Sequence, residues 1–213
     1  EGKDFTVAFE QLAMRFDDDE ATVIRLINSA RSPASQSIWH KRLGNIYRKG
    51  GEHPKAIAAL SEAIRLNPSN IEALNELGVC FLETGRNEEG LAYLKRSLVA
   101  DPHQADAYRL LGVFFYRKGA FLGAIPYLKT ACANDPDQKE SALHLMMAYF
   151  FINDQPAYLD AIDQTTSKLS DDRAVLKFAA NELFTHGYFA DTVKVLSQSR
   201  SLFTQDPQML ALL

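Results

Sequence analysis

A 34-residue internal repeat is the feature that most limits the folds open to this chain. Three five-residue stretches align at this shift, each beginning with Leu-Gly and ending in an aromatic residue: 43–47, 77–81 and 111–115. A period of this length indicates one supersecondary unit per repeat, stacked on its neighbours because a single unit cannot bury its own apolar face.

Further positions agree at the same period. Each stretch is followed by a small residue, then a leucine four residues later, then a second small residue: Ala56, Leu60 and Ala63; Gly90, Leu94 and Ser97; Ala124, Leu128 and Ala131. Each unit then closes in Asn-Pro or Asp-Pro, at Pro68, Pro102 and Pro136. Agreement at so many offsets excludes chance.

Each unit is expected to form two amphipathic helices joined by a tight turn. In the second of the three aligned repeats, Leu74, Leu77 and Phe81 recur at the spacing of one helical face. Gly85 is expected to end the first helix, because glycine takes the left-handed conformation readily. Gly78 is expected where the two helices meet, because a larger side chain would hold them apart.

On these positions the chain resembles the tetratricopeptide repeat (TPR) family. The resemblance implies an all-α fold, a right-handed superhelical α-solenoid of stacked helix-turn-helix repeats, as one domain over residues 1–213. In such repeats the first helix, helix A, lines the concave face. The repeats are expected as a degenerate one at 3–36, clear ones at 37–70, 71–104 and 105–138, and divergent ones at 139–172 and 173–206, with a further or capping helix beginning in 207–213.

The ends of the sequence are those expected of a processed or cloned piece, which either continues beyond Leu213 or ends in a capping helix. The chain opens at Glu1 without a methionine, and Leu210 and Leu213 fall at core positions of a further repeat. Nothing in the sequence assigns a compartment, although the Asn-Pro and Asp-Pro repeat ends are typical of bacterial multi-repeat proteins.

No pattern in the sequence points to catalysis, a cofactor or a metal. The histidines are scattered, and Cys80 and Cys132 have no ligand partner at metal-site spacing, so both are expected to be structural core thiols. The acidic run 17–20 is expected to cap a helix that begins near Glu20. Phosphate-binding, serine-hydrolase and zinc-protease motifs are absent from the sequence.

Charge and hydropathy restrict the classes of binding partner that are expected. The formal net charge is −4, and the acidic second repeat interrupts any basic track, so nucleic acid is not expected. No apolar run reaches the roughly 18 residues that a membrane-spanning helix needs. The expected partner is therefore another protein or a peptide.

The resemblance also implies which helix A residues line a peptide-binding groove. The candidates change from basic and polar in the first clear repeat to largely apolar in the last two. They are Lys41, Arg42, Asn45, Arg48, Asn75, Arg109, Tyr116, Leu143, Met147, Phe150, Phe151, Phe178 and Asn181.

A carboxylate clamp of the kind found in chaperone-binding relatives is disfavoured. Lys41 and Asn45 match its start, but Glu76, Asp106 and Leu110 stand where the clamp has Asn, Lys and Arg. Two acidic groups at these positions would repel a carboxylate ligand.

The sequence therefore predicts a protein-interaction scaffold that binds a peptide or helical segment of a partner. The partner's apolar anchors would contact Phe150, Phe151 and their neighbours, and its acidic residues would reach Lys41, Arg42 and Arg48. Two alternatives stay open: Phe150 and Phe151 could be buried core, and the chain could self-associate as a homo-oligomeric assembly scaffold.

Overall fold

The computed structural model describes residues 19–203 and 209, and within them the regular structure is entirely helical. The eleven α-helices are α1 (Glu20–Ser29), α2 (Pro33–Lys49), α3 (His53–Leu66), α4 (Ile71–Glu83), α5 (Asn87–Ala100), α6 (Ala105–Arg117), α7 (Phe121–Asn134), α8 (Lys139–Phe151), α9 (Gln155–Lys168), α10 (Arg173–Thr185) and α11 (Phe189–Gln198). A short 3-10 helix follows at Arg200–Leu202. This confirms the all-α class.

The predicted start of the first described helix is confirmed. Helix α1 begins at Glu20, and the Asp19 carboxylate caps it by accepting a 3.0 Å hydrogen bond from the backbone N–H of Thr22. Hydrogen bonds from the Thr22 side chain and backbone lower the pKa of Asp19. The rest of the acidic run, and the first helix expected in 3–36, lie outside the described residues.

A residue in the left-handed backbone conformation follows the first helix of each pair. Gly85 has φ of 79°, and its neighbour Arg86 closes the turn by donating a backbone hydrogen bond to the Phe81 carbonyl. Glycine occupies the same place after α2, α6 and α10, but after α8 the position is taken by Asn153 at φ 59°. Asparagine is among the few other residues that tolerate this conformation.

The repeated glycines lie where paired helices touch. A Cβ atom added to Gly112 would lie 2.6 Å from Cγ of the fully buried Leu128, and Gly44 and Gly78 meet the leucine of their own repeat in the same way. The prediction that these positions must be small is confirmed.

A buried hydrogen-bond network links the two helices of the repeat 37–70 to the first helix of the following repeat. Ser37 Oγ donates to the Ala63 carbonyl (2.7 Å) and accepts from Asn70 Nδ2 (2.9 Å). Asn70 Oδ1 in turn accepts from the backbone N–H of Ala73 (3.0 Å), capping α4. Helices α2, α3 and α4 thereby share one set of hydrogen bonds.

The chain divides into two compact units, Glu1–Pro102 with α1 to α5 and His103–Leu213 with α6 to α11. The core of unit 1 is built around Leu60, Leu74, Leu77 and Phe81. The largest core cluster of unit 2 contains Met146, Tyr158, Leu176, Leu183 and Leu196. The expectation of a single domain with the repeat bounds given above stays a prediction. None of the described helices is both long enough and apolar enough to cross a bilayer.

Replacing Tyr158 with phenylalanine is expected to raise the free energy of unfolding by up to about 1 kcal/mol. Tyr158 is 1% exposed, its hydroxyl has no hydrogen-bond partner among the described residues, and burial raises its pKa to about 12. Urea unfolding followed by circular dichroism measures the effect, with Tyr127→Phe, at a half-exposed ring, as the near-neutral control. A loss of stability in Tyr158→Phe would mean that the hydroxyl is hydrogen-bonded after all.

Candidate protein-interaction surface

In unit 1 one arginine of the predicted basic patch is paired with two glutamates of the acidic second repeat. Arg48 Nε lies 3.0 Å from Glu76 Oε2, and Arg48 Nη1 lies 3.0 Å from Glu83 Oε1. Burial lowers the pKa of Arg48, but the two carboxylates outweigh it and the net shift is upward. Arg48 is therefore already engaged, and a partner's acidic residue would have to compete with two glutamates.

The other candidate residues of unit 1 are only partly accessible. Lys41, Arg42 and Asn45 are half-buried, and the Arg42 guanidinium lies 6.0 Å from the centre of the Trp39 ring. Asn45 Oδ1 is shielded from solvent without a hydrogen bond among the described residues. Asn75 is buried, so it does not offer the open surface that a groove assignment requires.

Arg109 is the corresponding ionic residue of unit 2. Its guanidinium lies 2.8 Å from Glu140 Oε2 on α8 and 3.2 Å from Asp106 Oδ1 on its own helix. As with Arg48, two carboxylates offset the charge, so the residue links helices and is not an isolated cation.

Unit 2 also has an aromatic surface, made of Tyr116, Phe121, His144 and Phe151. The rings of Phe121 and Phe151 stack with centroids 4.6 Å apart, and Tyr116 packs edge-on against His144 (4.8 Å) and Phe121 (5.3 Å). Phe151 is nevertheless 50% exposed. Three helices, α6, α7 and α8, hold these rings in place.

Phe150 and Phe151 have different environments. Phe150 is half-buried against the unit 2 core, with its ring 5.5 Å from Tyr158 and 4.1 Å from His186. Successive residues of an α-helix point about 100° apart, so one ring faces inward and the other outward. Of the two readings left open, the structure places Phe150 nearer the core and Phe151 at the surface.

The remaining candidates in unit 2 also differ in exposure. Leu143 and Phe178 are half-buried and pack against the unit 2 core, and Met147 is half-buried. Asn181 is exposed.

Residues at the start of the second helix of a repeat were missed by the sequence analysis. Phe121 belongs to the aromatic surface, and Phe189, at the same repeat position, is 59% exposed and contacts Phe184 edge-on at 5.4 Å. The groove positions carried over from the family lie on helix A alone. The signal that could have found these two residues is that phenylalanine recurs at the seventeenth position of two repeats.

Neither cysteine has the environment of a nucleophile. Cys80 is fully buried, and burial raises its pKa to about 12. Cys132 is half-buried, and burial raises its pKa too. A thiol needs a depressed pKa to react at neutral pH.

Helix pairs repeated at a fixed period, with surfaces of ionic and aromatic side chains, define an α-solenoid repeat protein. Two family models match the sequence, one described as TPR repeat over residues 44–85 and one as tetratricopeptide repeat over residues 83–139. Tetratricopeptide repeats therefore occupy residues 44–139 of the chain. Repeat proteins of this family are generally non-enzymatic protein-interaction modules.

Solved structures share the fold. MamA is 22% identical with a TM-score of 0.59, covering 75% of this chain and 93% of MamA. PilF of Pseudomonas aeruginosa is 17% identical with a TM-score of 0.64, covering 83% and 80%. YrrB, described as a TPR protein with an unusual peptide-binding site, is 16% identical with a TM-score of 0.56, covering 98% and 97%. No curated protein sequence matches the chain.

Proposed function

We propose that this chain is a protein-interaction scaffold that binds a peptide or helical segment of a partner protein, and that the aromatic surface of unit 2 is the anchor site. The family supports the general function, and peptide binding by YrrB, a protein of the same fold, supports the kind of ligand. The observation that carries the choice of site is Phe151, half-exposed in a stack of rings.

The aromatic surface suits an apolar anchor because it is already assembled. Phe151 is fixed by contacts with Phe121 and Tyr116, so binding orders few new side-chain rotamers. A buried phenylalanine removes roughly 200 Å² from water, so covering the exposed half buries about 100 Å². At about 25 cal/mol per Å², this contributes about 2.5 kcal/mol from one ring.

The ion pairs change the charge that is expected of the ligand. Because Arg48 and Arg109 each already face two carboxylates, acidic residues on the partner are not needed at these positions. The ligand is better described as a segment with apolar anchors, spaced three or four residues apart if it is helical. Aromatic and long aliphatic side chains are the anchors that fit a stack of rings.

Phe151→Ser is expected to weaken binding of such a peptide by about 30-fold, which corresponds to the roughly 2 kcal/mol of a binding hot spot. Peptides are first selected on the wild-type protein from a display library, and their affinities are then measured by fluorescence polarisation. Leu122→Ser is the matched control, because Leu122 is also apolar and 73% exposed but is outside the aromatic surface.

The controls separate binding from folding and from self-association. Both variants should keep the wild-type melting temperature, and a collapse of stability in Phe151→Ser would identify Phe151 as core. Equal loss in Phe151→Ser and Leu122→Ser would contradict the assigned site. Light scattering should give the monomer mass of 23.8 kDa, and a mass that rises with concentration would favour the assembly scaffold.

A further inference from the structure

Three metal-ligating side chains from two repeats meet in unit 1. His53 is the first residue of α3, and Cys80 and Glu83 lie on one face of α4 at its C-terminal end. One ligand atom of each lies within 4.8 Å of the other two. No ligand spacing in the sequence predicts this cluster, because His53 precedes Cys80 by 27 residues and lies on a different helix.

We propose that His53 Nδ1, Cys80 Sγ and the Glu83 carboxylate bind one zinc ion. The Nδ1 atom lies 3.7 Å from Glu83 Oε2. Two ligands at about 2.1 Å from a tetrahedral zinc are about 3.4 Å apart, so this edge of the site is nearly formed. The sulfur lies within 4.8 Å of both atoms, so it must approach them by at most about 1.2 Å to complete the triangle.

Two of the ligand groups are shielded from solvent, and the third is the carboxylate of the exposed Glu83. His53 Nδ1 is buried and makes no hydrogen bond among the described residues. Cys80 is a free thiol in the core. A zinc ion at the sulfur would displace the thiol proton, because a thiol binds zinc as the thiolate.

Arg48 orients the carboxylate of the site. Its Nη1 lies 3.0 Å from Glu83 Oε1, which leaves Oε2 on the side of His53. Its Nε is paired with Glu76. Zinc with one thiolate and one carboxylate is neutral, and Arg48 with Glu76 is neutral, so metal binding leaves no uncompensated charge at the site.

The ligand set selects the metal. Imidazole nitrogen, thiolate sulfur and a single carboxylate are the ligands of zinc, whereas calcium and magnesium require several oxygens. Three protein ligands leave the fourth tetrahedral position to water. On binding, the S–H bond of Cys80 breaks, its proton goes to the buffer, and an S–Zn bond forms without any change of oxidation state.

Isothermal titration of the tag-free, metal-free protein with zinc chloride tests the site. We expect one zinc per chain and release of about one proton, obtained by comparing buffers of different ionisation enthalpy. Titration with cobalt(II) should produce a thiolate-to-cobalt charge-transfer absorption. Zinc should also raise the melting temperature of the wild type.

Matched variants separate this site from non-specific binding. His53→Gln and Glu83→Gln should each weaken zinc binding by about 100-fold, and Cys80→Ser should abolish the cobalt charge-transfer band. Cys132→Ser should leave both unchanged. Because substitution at buried Cys80 also disturbs the core, His53→Gln, at a half-buried side chain, is the decisive variant. Unchanged zinc affinity in His53→Gln, no measurable binding, or a cobalt spectrum without the thiolate band would overturn the proposal.

Discussion

Asn70→Ala is expected to lower the free energy of unfolding of unit 1 by about 2–3 kcal/mol. The substitution removes the side-chain cap of α4, which contributes about 1 kcal/mol in typical helices. Here the cap's donor is the buried backbone N–H of Ala73, so losing its acceptor costs about 1–2 kcal/mol. The lost hydrogen bond from Nδ2 to Ser37 adds about 1 kcal/mol.

Urea unfolding measures this difference, with Ser69→Ala as the control. Ser69 is the neighbouring residue and also makes side-chain hydrogen bonds, but it is exposed, so its change should stay within about 0.5 kcal/mol of the wild type. Equal stabilities of Asn70→Ala and Ser69→Ala would show that the buried network contributes little.

Gly112→Ala is expected to lower the free energy of unfolding of unit 2 by about 2 kcal/mol. The added methyl group would lie 2.6 Å from Leu128 Cγ and 3.2 Å from Leu128 N. Leu128 is fully buried and cannot move into solvent, so α6 and α7 must separate. This cost exceeds the roughly 1 kcal/mol that alanine gains over glycine inside a helix.

Gly123→Ala should change the free energy of unfolding in the opposite direction. Gly123 lies on α7 of the same helix pair, but the nearest atom to an added Cβ is 3.8 Å away, which is ordinary van der Waals contact. We therefore expect stabilisation by about 0.5–1 kcal/mol from the helix propensity of alanine. If both variants shifted the urea midpoint in the same direction, the close approach of α6 and α7 would not be the reason for Gly112.

Local patterns in the sequence were sufficient to predict the helix pairs. The spacing of apolar residues, the glycines that end the first helices and the cap at Asp19 each depend on residues within a few positions of one another. In the repeat 139–172, Asn153 takes the place of the helix-ending glycine, and only its backbone conformation identifies it.

The candidate surfaces depend on contacts between repeats, and these were harder to predict. Arg48 reaches carboxylates 28 and 35 residues away, and the sequence shows which charges are present but not which of them pair. The separation of Phe150 from Phe151 depends on how α8 is rotated against the unit 2 core. A repeat pattern specifies neither which charged side chains of different repeats come within ion-pair distance nor how a helix is rotated about its own axis.

Equivalent repeat positions carry different chemistry in the two units. The twelfth, thirteenth and seventeenth positions hold Arg48, Glu83 and His53 in unit 1. In unit 2 the same positions supply Tyr116, Phe151 and Phe121. The same helical framework thus presents ionisable, metal-ligating groups in one unit and aromatic rings in the other.

Site-specific photo-cross-linking tests the central claim most directly. A benzophenone amino acid is placed at position 151 in one sample and at position 122 in another, and each is irradiated with a peptide selected on the wild-type protein. The proposed function predicts a cross-link from position 151 and little or none from position 122. A peptide that binds both proteins but cross-links only from position 122, or from neither position, would contradict the aromatic surface as the anchor site.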